Sequence, residues 1–158
     1  MPSTVMWFRR DLRLGDNPAL LAARDAGGDG VLPLFVLDDA LRRPSGAPRL
    51  AFLYRALRAL DEAVGGRLVV LRGRPESVVP RVADEVGASS VHVAADFGPY
   101  GRERDGRVEA ALPDRVPLVR TGSPYAVAPG RVRKDDGTRL RVYTPFYRAW
   151  LRHGWRDP

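Results

Sequence analysis

With 158 residues, 44% of them hydrophobic, the chain has the length and apolar fraction of one globular domain, able to bury roughly 70% of its unfolded surface. It has no cysteine, which excludes a disulfide framework, a thiolate metal site and a thiol nucleophile, and no apolar run approaches the roughly 18 residues of a membrane helix. The net charge of +7 rests on 25 arginines and a single lysine, Lys134, scattered rather than blocked; this reads as the composition of a GC-rich genome more than as a nucleic-acid-binding face.

The first predicted strand, 4–8, is a short apolar run that stops at Arg9, Arg10 and Asp11. Asp16 or Asn17 can then cap a helix over 18–26, with Pro18 at the first position, where a missing N–H costs nothing. A second strand, 31–37, ends at Asp38 and Asp39. The helix expected over 48–64 places Leu50, Leu53, Tyr54, Leu57, Leu60 and Val64 on one face, and Gly65 and Gly66 close it. Strands over 68–72, 90–94 and 118–120 alternate with helices over 75–86 and 101–112, the former closed by Gly87. The Gly-, Pro- and Arg-rich stretch 122–141 breaks the rhythm, with a turn over 134–137, before a short helix over 145–153.

Strand and helix alternate through at least four rounds, which predicts an α/β fold: a Rossmann-like, doubly wound, five-stranded parallel sheet with helices on both faces. Residues 1–121 form its core, and 122–158 an irregular segment ending in the short helix. No basic and apolar leader opens the chain, so a cytoplasmic location and no membrane association are expected.

The glycine fingerprint of dinucleotide binding is missing after the first strand, as are a Walker loop, a nucleophile elbow and a zinc-protease motif. His92 falls inside a strand and His153 near the end of the chain, places that favour packing or solvent over metal ligation. No metal site and no catalytic residue is assigned. What remains is the set of loops at strand carboxyl ends. In a sheet ordered 3-2-1-4-5, the exits of the first and fourth strands flank the switch point. Arg10 and Asp96 then face one crevice, with Phe35 and Asp38 on its flank. Such a wall suits a flat heteroaromatic ligand with polar edges. The spacing fits equally well charges that only pair with one another on a solvated rim.

Residues 7–20 read W-F-R-R-D-L-R-L-G-D-N-P-A-L, and this run closely resembles the opening of the DNA photolyase/cryptochrome family. Residues 34–38, Arg49 with Phe52 and Leu53, residues 99–105 and residues 142–150 are similar to further family segments, so the resemblance covers essentially the whole chain. It implies the amino-terminal domain of a DNA photolyase, which holds a light-harvesting antenna. The antenna passes excitation to reduced FAD in a following domain, which splits cyclobutane pyrimidine dimers in DNA. That FAD-binding domain lies beyond this chain, which on this view stops at the linker and is itself not catalytic. The same resemblance admits a cryptochrome signalling protein, and the fold alone a stand-alone nucleotide-binding module.

The frame at 100–105, Y-G-R-E-R-D, differs from the N-E-R-x-R-D of folate-binding members and is similar to members that take 8-hydroxy-5-deazaflavin or FMN. Carried over position by position, Arg10, Phe35, Asp38, Arg49, Asp96, Gly98 and Tyr100 are the implied antenna-binding residues. Gly98 stands where that frame often has a carboxylate. The implied partners are the FAD-binding domain and, through it, damaged DNA, with the protein a monomer. Leu12 and Leu14 are expected to pack beneath the first loop, Trp7, at a strand end, to be core, and Arg102, Arg104 and Asp105 to pair on a helix surface. Trp150 and Trp155 are expected to pack on the following domain.

Overall fold

A computed structural model describes residues 3–28 and 30–155; the expected junction at 156–158 and the residues 1–2 of the chain start lie outside the described residues. The strands are β1 (Thr4–Phe8), β2 (Val31–Leu37), β3 (Val69–Arg72), β4 (Ser90–Val93) and β5 (Leu118–Arg120). They form one parallel sheet in the order β3-β2-β1-β4-β5. The helices are α1 (Pro18–Ala26), α2 (Asp39–Arg42), α3 (Ala47–Ala63), α4 (Pro75–Glu85), α5 (Pro99–Ala111) and α6 (Tyr143–His153).

The central strand is buried on both faces, and its alternation sorts the core into two layers. Val5 and Trp7 join Leu34 and Val36 of β2 against Val78, Val79 and Val82 of α4 and Val108 of α5. Met6 and Phe8 join Phe35 against Ala19 and Ala23 of α1 and Leu57 and Leu60 of α3. Phe8 is fully buried, and truncating such a side chain to alanine costs about 3–5 kcal/mol. On α3 the buried stripe is narrower than its spacing predicts. Tyr54 is exposed, because the helix turns Leu53, Leu57 and Leu60 to the sheet and leaves position 54 on its flank.

Helix starts follow their sequence signals. The Asn17 side chain accepts from the Leu20 amide at 3.2 Å and donates to the Arg13 carbonyl at 3.1 Å, so one residue closes the first loop and opens α1. Gly65, at φ +69°, and Gly66, at φ +71°, take the left-handed backbone that ends α3. The short helix α2 is absent from the sequence reading. Asp38 is its cap, accepting from the Ala40 amide at 3.0 Å, but the helix has too few residues to show a period. Beyond β5, the Thr121 amide still donates to the Val93 carbonyl and the Ala95 amide to the Gly122 carbonyl, so the chain leaves the sheet at its carboxyl edge. On α6, Tyr143 stacks on Tyr147, and Trp150 stacks on Trp155 at 4.6 Å. No helix among the described residues is long and apolar enough to cross a membrane.

Candidate functional site

The strand order reverses between β1 and β4, and a crevice opens above their carboxyl ends. Its cavity, of about 770 Å³, is lined by the loop after β1, the end of β2, the α2–α3 connection, the first half of α3, the loop after β4 and the start of α5. Arg10, Phe35, Asp38, Arg49, Asp96, Gly98 and Tyr100 all line it. Residues as far apart in sequence as Trp7 and Arg104 thus meet in one space whose volume suits a single tricyclic ring system with a tail.

The inner wall is a buried charge cluster. Arg9 bonds the Asp105 carboxylate and the Ala94 carbonyl. Arg104 donates to Asp105 from Nε at 3.0 Å and from an Nη at 2.8 Å, and the same Nη reaches Asp96 at 3.3 Å. Both guanidiniums lie over the Trp7 ring, at 4.9 Å for Arg9 and 5.2 Å for Arg104. Burial lowers the pKa of Arg9 and neighbouring Arg104 lowers it further, while Asp105 opposes both. Charges in such a place are tolerable because each has an opposite partner and a hydrogen bond. Trp7 is therefore core, as its place at a strand end predicts.

Asp96 is the carboxylate that this cluster presents to the cavity. Its Oδ1 accepts from the Gly98 amide at 3.1 Å and its Oδ2 from Arg104. Burial pushes its carboxyl up, but the Gly98 amide, Arg10, Arg104 and Arg9 together hold its pKa below the usual value. Each oxygen keeps a lone pair for a further donor. Asp38 is more fully engaged: besides capping α2 it accepts the Tyr100 hydroxyl, which fixes the Tyr100 ring across the crevice. Burial and the Asp38 carboxylate push the Tyr100 phenol up to about 12. Asp39, beside it in sequence, leaves the site and pairs with Arg42 and Arg72.

The outer rim is cationic. Arg10, exposed, reaches the Tyr125 hydroxyl at 3.2 Å; Arg13 holds the Asp16 carbonyl at 2.8 Å; Arg42 and Arg49 complete the arc. Arg49, in the first turn of α3, has no acceptor among the described residues, and beside it Phe52 is largely exposed.

Two expectations are corrected here. Arg104 and Asp105 do not form a surface pair with Arg102; both are buried, Arg104 over the Trp7 ring, and only Arg102 faces solvent, because α5 turns positions 104, 105 and 108 inward. Leu12 packs on the α1–α3 side of the core, but Leu14 is exposed at the bend before α1. The inward turn of Gly101, Arg104 and Asp105 has no apolar period to announce it, since the buried face of α5 carries these residues at helical spacing with Val108; α5 also begins at Pro99 rather than at 101. The Gly98-Pro99 pair was the available signal: glycine before a proline at the first helical position.

The family model described as DNA photolyase matches residues 4–158. A deoxyribodipyrimidine photo-lyase from Streptomyces griseus is 46% identical over 99% of this chain and 36% of its own length. Among solved structures, a class III photolyase from Agrobacterium tumefaciens superposes with a TM-score of 0.80 at 33% identity, over 94% of this chain and 31% of that one. An archaeal photolyase from Sulfolobus tokodaii, solved with two FAD molecules, superposes with a TM-score of 0.85 at 26% identity, over 99% of this chain and 36% of that one. The chain thus spans about a third of the length of the relatives it matches.

Proposed function

The chain belongs to the DNA photolyase family, and from that premise we propose that it is the amino-terminal, antenna-holding domain of a light-driven DNA photolyase. The observation that carries the reading is the convergence of Arg10, Phe35, Asp38, Arg49, Asp96, Gly98 and Tyr100 on one cavity at the switch point of the sheet. The ligand is a flavin-type antenna, FMN or 8-hydroxy-5-deazaflavin, with folate disfavoured by the Tyr100-Gly101 frame. Phe35 and Tyr100 would hold the ring, Asp96 would accept from an N–H of it, and the buried inner wall would exclude water from the site. The unpartnered Arg49 and the rest of the rim favour FMN, whose phosphate they can neutralise. The domain's work is positional: it fixes the dye's distance and orientation to a second flavin, FAD, held by a further domain of the longer protein. Cyclobutane pyrimidine dimers in DNA are the substrate of that whole protein.

Titration with FMN, 8-hydroxy-5-deazaflavin, FAD, methenyltetrahydrofolate and ATP, followed by fluorescence, tests the reading. Saturable uptake of a flavin-type dye is expected, weakened about tenfold or more by Asp96→Ala, which removes a hydrogen bond to a charged acceptor. Preference for ATP, or indifference to Asp96→Ala, would reject the antenna assignment. A photorepair assay on the longer protein separates a lyase from a signalling relative.

A further inference from the structure

Gly101 lies buried in the first turn of α5, inside a helix, where glycine is a poor choice on backbone entropy alone. The reason for it is steric. A Cβ at position 101 would lie 2.6 Å from Asp96 Oδ1 and closer still to Asp96 Cγ and Oδ2. The carboxylate occupies the space that a side chain at 101 would need. Asp96 cannot step aside freely, because the Gly98 amide holds one oxygen and Arg104 the other, and Arg104 is anchored by Asp105. Gly106, on the same helix, shows the contrast: a Cβ there would meet nothing within 4 Å.

We propose that Gly101 is a specificity-determining position of the cavity: its missing side chain admits the Asp96 carboxylate to the wall, and that carboxylate selects planar ring ligands presenting an N–H donor. Asp96 and any larger residue at 101 are mutually exclusive. A side chain at 101 would therefore change which ligand is held, without touching that ligand. The ligand half of this inference rests on the flavin-type reading above; the steric half does not.

The test is a cycle of Gly101→Ala, Asp96→Ala and the double variant, with Gly106→Ala as the helix control. Each variant is titrated with FMN and with 8-hydroxy-5-deazaflavin and melted without dye. Gly101→Ala and Asp96→Ala are each expected to weaken dye binding about tenfold or more, with the double variant no weaker than Asp96→Ala alone. Gly101→Ala should lower the melting temperature of the unaltered chain, whereas on the Asp96→Ala background the same change should lower it no further, because the collision is gone. The stability cost of alanine at 101 then vanishes with Asp96 while the lost affinity does not return, which a merely structural glycine would not show. Dye affinity unchanged in Gly101→Ala, or losses that multiply in the double variant, would overturn the proposal. If the unaltered chain takes up neither dye, the antenna reading fails and with it the ligand half. The melting temperatures then still judge the exclusion: a double variant no less stable than Asp96→Ala alone supports it, and additive losses overturn it.

Discussion

On the inner wall of the crevice, Arg9 and Arg104 lie over Trp7 and pair with the buried Asp105, Arg104 pairs with Asp96 as well, and Arg9 is tied also to a backbone carbonyl. On the outer rim, Arg10 and Arg49 are exposed, and Arg49 has no acceptor among the described residues. Arg9 and Arg10 are neighbours in the chain, yet one belongs to each region. Arg9 keeps the facing of Trp7, two residues earlier, and so falls on the α5 side of the sheet, whereas Arg10 turns outward. The same residue type therefore does two jobs: buried and ion-paired, it positions a carboxylate; exposed on the rim, with no salt bridge among the described residues, it is available to a ligand's charge.

Breaking the inner wall should have the largest effect. Asp105→Ala leaves Arg9 and Arg104 buried beside each other without their shared counter-ion, and should cost about 3–5 kcal/mol in denaturant unfolding. Arg49→Ala, on the rim, should change stability by less than about 0.5 kcal/mol. Equal costs for the two variants would erase the distinction between wall and rim.

The rim sharpens the comparison through ligand rather than fold. Arg49→Ala should weaken FMN about twofold to fivefold and leave phosphate-free riboflavin unaffected, with the difference shrinking as salt rises. Equal loss for both dyes would show that Arg49 packs on the ring and does not read the phosphate.

The smallest effect comes from a buried group that lacks the partners of the inner wall. His92 lies in β4 with Nε2 2.9 Å from the Ser90 hydroxyl and a buried Nδ1 without a partner, and burial lowers its pKa below 6.5. Unfolding lets it take up a proton at pH values where the folded imidazole stays neutral. Stability should therefore fall as pH drops below 6.5 toward the lowered value, and level off beneath it. Melting temperatures from pH 7.5 to 5.5 should show this decline, and His92→Gln should flatten it; an unchanged slope in the variant would exclude His92 as its source.

Much of the fold was legible in the sequence, because strand and helix signals are local. The bounds of β1, α1, β2 and β5 match the expected 4–8, 18–26, 31–37 and 118–120. The crevice was legible too, through a chain of inference: alternation implies a parallel sheet, and the order of that sheet implies a switch point. The missed elements each lack a local signature. Helix α2 is one turn long, and its cap, Asp38, reads equally well as a ligand-facing carboxylate. The inward face of α5 carries Gly101, Arg104 and Asp105 at helical spacing with Val108, so no apolar period separates it from a surface face.

By itself, then, the sequence determined the alternation of elements, the topology that follows from it and the set of polar residues at the carboxyl edge, since each depends on periods of two or 3.6 residues that any short window contains. Only the tertiary structure decided which of those residues are buried, which are paired and which are open. The Arg9–Asp105 pair joins positions 96 residues apart, and the Tyr100–Asp38 pair positions 62 apart. Such contacts are set by how helices pack on a twisted sheet, a distance in space that no local spacing records.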